Sequence, residues 1–122
     1  MRLLLDTHVV LWWLRGELRD ETRDLLAGER WVYMSAVTPW ELSVKQAAGK
    51  LDAPVDVAER ARDTQFLALP VEAEHGIRAG RLPAHHRDPF DRILIAQAQT
   101  EGLTLVTRDK NIPLYDVPVL AV

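Results

Sequence analysis

Short, wholly apolar runs separated by helical stretches set the tightest limit on what this chain can fold into. Leu3-Leu4-Leu5 is apolar at every position and reads as a strand buried on both faces, ending at Asp6. Trp31 to Met34, Phe66 to Leu69, Leu103 to Val106 and Val117 to Leu120 read as further strands. Between them, helices are expected over Thr7 to Leu14, Asp20 to Gly28, Pro39 to Ala48, Pro54 to Gln65, Val71 to Gly80 and Pro89 to Thr100. In the fourth of these, Val55, Ala58 and Arg62 are expected to share one face, and Arg81 to Asp88 reads as a loop. Strands alternating with helices build βαβ units. The expected fold is therefore α/β: a three-layer α/β/α sandwich around a mostly parallel sheet of about five strands, in one domain over residues 1–122.

In such sheets, ligands bind beyond the carboxyl ends of the strands. Asp6 ends the first strand, Glu41 follows the second, and Asp109 lies just past Leu103 to Val106. Asp91 joins them if its helix starts at the same edge. Taken singly, each acid has a simpler explanation. Asp6 suits a helix N-cap. Thr38-Pro39-Trp40-Glu41 reads as a capping box with Glu41 in the first turn. In Asp88-Pro89-Phe90-Asp91, Asp88 suits the cap and Asp91 the third helical position. Asp109 suits a turn. Capping does not explain why four carboxylates point at one place, where they repel unless compensated. An all-oxygen site compensated by Mg²⁺ or Mn²⁺ does explain it. Such ions serve in-line attack on phosphodiesters.

Composition is compatible with that chemistry and excludes others. With no cysteine there are no thiolate metal sites and no disulfides. The net charge of −3 argues against a nucleic-acid binder at first sight. Setting four acids aside as a cluster leaves 14 acids against 15 Lys and Arg, so the remaining surface is near neutral. Val9 to Leu14 is the longest apolar run and is too short to span a bilayer. The first residues do not read as a signal peptide, so a cytoplasmic location is expected.

The motifs together resemble PIN-domain proteins, and most closely the VapC-type toxins of bacteria. The resemblance runs through Leu4-Leu5-Asp6-Thr7-His8, Leu11-Trp12-Trp13-Leu14, Ser35 to Glu41, Lys45 and Gly49-Lys50-Leu51. It continues through Leu82 to Arg92, Ile95 to Ala98 and Leu105 to Asp109, and so covers essentially the whole chain. It implies a PIN fold, a Mg²⁺ or Mn²⁺ site and endonucleolytic cleavage of RNA. By position, Asp6, Glu41, Asp91 and Asp109 correspond to the family's acidic quartet, and Thr107 to a hydroxyl that helps arrange it. The resemblance also implies a cognate antitoxin and a homodimer. Ile112 departs from the phenylalanine many relatives carry.

Other residues divide between site and scaffold. Asp88 fits a helix cap better than a ligand. His8, His85 and His86 lack the i, i+4 spacing of a helical zinc pair, so zinc is disfavoured, and His85 and His86 either touch RNA or shape their loop. Lys45, four residues after Glu41, fits a helix ion pair or a phosphate contact. Arg87, Arg92, Arg108 and Lys110 flank the acidic motifs, where cations hold a phosphate backbone. Trp12 and Trp13 sit on a helix apolar nearly all round, which suits either a buried helix or an interface. Two rivals remain. A signalling receiver domain needs an acidic pair after the first strand, where Asp6 stands alone. An inactive PIN-like binding module needs substitutions in the quartet, and there are none.

Overall fold

The computed structural model describes residues 1–122. Its centre is strand β1 (Arg2–Leu5), whose side chains alternate between two cores. Leu3 and Leu5 enter one hydrophobic cluster and Leu4 the other. A strand that must satisfy apolar layers on both sides has no polar face, which is why the run is continuous.

Four more strands complete the sheet: β2 (Trp31–Ser35), β3 (Leu67–Leu69), β4 (Thr104–Thr107) and β5 (Val119–Ala121). Their order is β3-β2-β1-β4-β5, and every pairing is parallel. Six helices flank it: α1 (Thr7–Arg15), α2 (Asp20–Gly28), α3 (Val37–Ala47), α4 (Val57–Arg62), α5 (Ala73–Arg81) and α6 (Pro89–Glu101). The first core gathers Val9, Leu26, Leu42 and Val57 from α1 to α4, while the second gathers Leu94, Ile95 and Ala98 from α6. The three-layer α/β/α sandwich expected from the sequence is the fold, with a sheet that is wholly parallel. The chain order reverses direction beside β1, which opens the carboxyl edge between β1 and its neighbours.

Two helix readings are corrected. Helix α3 begins at Val37, not Pro39, with Ala36 at the cap position and the Ser35 hydroxyl accepting from the Val37 amide at 3.1 Å. Pro39 is then the third helical residue, where its missing N–H costs nothing. Thr38 to Glu41 is therefore no capping box, and Glu41 lies in the second turn. Helix α4 is shorter than Pro54 to Gln65, and its buried residues are Val57 and Ala61. Val55 lies before it, 91% exposed.

Candidate functional site

The four acids come from four different parts of the chain, and Asp6, Glu41 and Asp109 are each held by hydrogen bonds of their own. Asp6 leaves β1 with extended backbone and caps α1, one oxygen accepting from the His8 amide at 2.7 Å. Its other oxygen accepts from the Thr107 hydroxyl at 2.6 Å, from the end of β4. The same hydroxyl accepts from the Asp109 amide at 3.0 Å, so Thr107 ties two of the acids together. Burial favours the neutral form of Asp6, but the bonds from His8 and Thr107 outweigh it and hold the carboxyl below its ordinary range.

Glu41 is almost fully buried, and its two oxygens are separately fixed. One accepts from the Thr7 hydroxyl at 2.6 Å, and the other pairs with Lys45 one turn along α3. Thr38 lies 3.3 Å from Thr7, hydroxyl to hydroxyl. Lys45 also reaches within 3.9 Å of Asp88. Burial works against the ammonium, yet the bond and charge of Glu41, with the charges of Asp88 and Asp91, raise its pKa.

Asp88 is the N-cap of α6, accepting from the Phe90 and Asp91 amides at 2.8 and 3.4 Å. Pro89 follows in the first turn, and Asp91 projects from the third helical position. Burial, then the charges of Asp6, Asp88 and Glu41, push the Asp91 carboxyl up to about 7, with His86 opposing. Asp91 is thus the acid on which the negative field of the others converges.

His86 was read from the sequence as a loop or RNA residue; here its ring enters the acidic cluster. Its Nε2 lies 2.9 Å from Asp91 and 3.2 Å from Asp109. Its Nδ1 accepts from the Asp88 amide at 3.2 Å, and its own amide donates to the Tyr115 hydroxyl at 2.8 Å. An Nδ1 that accepts leaves the proton on Nε2 in the neutral ring. In this pose His86 is a donor bridging two carboxylates. Nothing in the spacing of His85-His86 signalled this, because its partners lie on α6 and beyond β4.

The cations expected to meet a phosphate backbone divide into two groups. Arg87, Arg108 and Lys110 are exposed near the site. Arg108 lies over the Trp12 ring at 4.1 Å, and these two help line an open depression with Asp6, His8 and Asp109. Arg92 points away from that role. Its guanidinium donates to the carbonyls of Ala79, Leu82, Pro83 and His86, at 2.7 to 3.1 Å. With four of five donors engaged, it clamps the loop before α6 in place of a phosphate. Trp12 and Trp13 are half-buried at the rim of the first core. Trp13 meets Phe66 edge-on at 5.0 Å.

A family model described as "PIN domain" matches residues 3–118. The chain belongs to the PIN-domain family. Solved structures agree on the fold. The PIN domain is similar to a chain in VapBC2 from Rickettsia felis bound to a DNA fragment from its promoter. The TM-score there is 0.76 at 15% identity, over 99% of this chain and 98% of that one. It is similar to a chain in DNA-bound VapBC from Salmonella typhimurium, with TM-score 0.75 and 17% identity over 99% and 98%. A third likeness is to a chain of VapBC-5, a toxin–antitoxin system from Mycobacterium tuberculosis, with TM-score 0.60 and 21% identity over 100% and 98%. No curated protein matches by sequence. No helix of the PIN domain is long and apolar enough to cross a membrane.

The donor set of this PIN domain fits a hard divalent cation. Ligand atoms of His86, Asp91 and Asp109 lie within 4.8 Å of one another, and Asp6 and Glu41 act electrostatically on the same Asp91. Carboxylate oxygens dominate, as such ions prefer.

Proposed function

We propose that this PIN domain is a Mg²⁺- or Mn²⁺-dependent endoribonuclease, the toxin of a VapC-type toxin–antitoxin pair. The observation that carries the reading is Asp91: a carboxyl raised to about 7, first by its burial and then by the charges of three other acids that act on it. A fold that gathers like charges in this way is adapted to something positive. The supporting context is the family match, together with structural neighbours that come from toxin–antitoxin complexes.

In this reading Asp6, Glu41, Asp91 and Asp109 hold the cation, and Thr107 and Thr7 aim two of them. When bound, the cation polarises the phosphate and promotes attack by water. The protein's own part is preorganisation. The bonds from His8 and Thr107 favour the ionised form of Asp6, and the same Thr107 hydroxyl accepts from the Asp109 amide. Lys45 neutralises part of Glu41 and stands near Asp88, where it also faces an incoming phosphate. Arg87, Arg108 and Lys110 flank the acids as further backbone contacts for RNA. A cytoplasmic location, a cognate antitoxin and a homodimer belong to the same proposal. The half-buried Trp12 and Trp13 are offered as interface residues.

The test is cleavage of a labelled single-stranded RNA with Mg²⁺ or Mn²⁺, with and without EDTA. Cleavage that stops on chelation and returns with metal is expected. Undiminished cleavage after thorough chelation would remove the cation from the mechanism, and no cleavage of any RNA under any metal would favour a binding module.

A further inference from the structure

Beside the acidic cluster lies a second surface, which shares Lys45 and Arg87 with the site above and adds Trp40, Phe90 and Lys50. Trp40 is 62% exposed, the most open tryptophan in the chain, although its neighbours on α3 carry Glu41 inward. Its ring meets Phe90 edge-on at 5.0 Å. Phe90 precedes Asp91 at the start of α6, so this aromatic pair bridges the two helices that carry two of the acids. Next to it runs an open groove lined by Val44, Lys45, Lys50, Arg87, Asp88 and Phe90, with Ala48 and Pro89. Lys45 and Asp88 belong to both the groove and the edge of the acidic site, so the two surfaces are continuous.

Three cations in a groove that Phe90 joins to an exposed indole make a surface of a particular kind. Single-stranded nucleic acid is held where backbone phosphates meet cations and bases stack on aromatic rings. A buried core explanation fails for Trp40, because the ring is open to solvent. A second copy seated symmetrically on this groove would bring two sets of Lys45, Lys50 and Arg87 into one interface, whereas phosphates neutralise them. We propose that Trp40, braced by Phe90, is a base-stacking platform for a nucleotide flanking the cleaved phosphate of single-stranded RNA, with Lys50 and Arg87 holding the backbone. The proposal rests on the ribonuclease reading for its choice of polymer. It assigns Trp40 a positioning role only.

The experiment measures binding and cutting apart. Fluorescence anisotropy of a fluorescein-labelled, unstructured RNA decamer is recorded in EDTA at low salt for wild type, Trp40→Phe and Trp40→Ala. Loss of one stacked base is worth about tenfold in affinity. We expect Trp40→Ala to bind about tenfold more weakly, Trp40→Phe to recover most of the loss, and both to melt like wild type. Equal affinity for Trp40→Ala and wild type, or no measurable binding by wild type, overturns the platform. So does unchanged RNA affinity with a smaller sedimenting species for Trp40→Ala, which would make the patch a contact between copies. Absence of cleavage in Mg²⁺ alongside Trp40-dependent binding would sink the nuclease reading and leave the platform standing.

Discussion

His86 places its Nε2 2.9 Å from a carboxylate oxygen of Asp91, within the acidic cluster itself. Because its Nδ1 accepts from the Asp88 amide, the bridge to Asp91 is a donated hydrogen bond and not a free lone pair. A cation held by the acids, as proposed, would compete with that bond. His86→Ala is therefore expected to leave Mn²⁺ affinity unchanged or slightly higher, by calorimetric titration. A tenfold loss of affinity, the usual scale for losing a ligand or its close support, would make His86 a ligand in another tautomer.

Asp91 links stability to pH in metal-free protein. Its carboxyl is pushed from 3.8 to about 7, so the folded state holds this proton more tightly than the unfolded chain does. The stabilisation is complete below about pH 4 and is lost as pH rises through 7. The full change amounts to about 4 kcal/mol. Chemical denaturation in EDTA should show stability falling over that window. Asp91→Asn should lack this fall, match or exceed wild type at pH 8, and abolish cleavage. A variant with the wild-type pH profile would show that another group titrates.

Asp88 and Asp91 are three residues apart but perform different work. Asp88 caps α6 through two amides. Asp88→Ala should cost about 0.5–2 kcal/mol in thermal melts while retaining part of the activity. If Asp88→Ala is inactive yet as stable as wild type, and Asp91→Asn still cleaves, the two roles are exchanged.

Thr107→Val keeps the shape and deletes one hydroxyl that serves both Asp6 and Asp109. Without that bond the Asp6 carboxyl should titrate higher, because the bond is one of those holding it down. The expected loss is about 1–3 kcal/mol in stability, with single-turnover cleavage slowed at least about tenfold (about 1.4 kcal/mol in barrier). Wild-type rates would reduce Thr107 to packing.

Arg92→Met tests the loop clamp. Removing four charge-assisted bonds to backbone carbonyls should destabilise the protein by about 3 kcal/mol. Protease cutting between residues 81 and 88 should accelerate. RNA affinity at saturating stability should change little, and a large selective loss of affinity would restore the phosphate contact read from the sequence.

What the sequence disclosed depended on how local each signal was. The Leu3 to Leu5 run specified a doubly covered central strand because its period and ending are self-contained. The edge positions of Asp6 and Asp109 followed from strand ends alone. The start of α3 was misplaced because a proline fits any first-turn position, and Thr38-Pro39-Trp40-Glu41 imitates a capping box. Val55, Ala58 and Arg62 do not share a helical face as their spacing suggests, because three residues cannot fix a helix phase when the helix itself is only Val57–Arg62. The path of the loop before α6 left no trace in side-chain pattern. So neither the carbonyls converging on Arg92 nor the entry of His86 into the cluster was readable. Their partners are chosen by backbone direction.

Thr107 and Asp6 stand 101 positions apart in the chain, on strands that lie side by side. A polypeptide emerging from the ribosome therefore carries Asp6 through 101 further positions before the Thr107 hydroxyl exists to fix it. Asp109 and the hydroxyl that aligns the pair arrive only with the last strands. A nascent or prematurely terminated chain holds isolated acids and no assembled centre. The domain acquires its centre only once β4 has been made and laid beside β1, which leaves an interval in which an inhibitor already present can meet the chain before the acids are gathered.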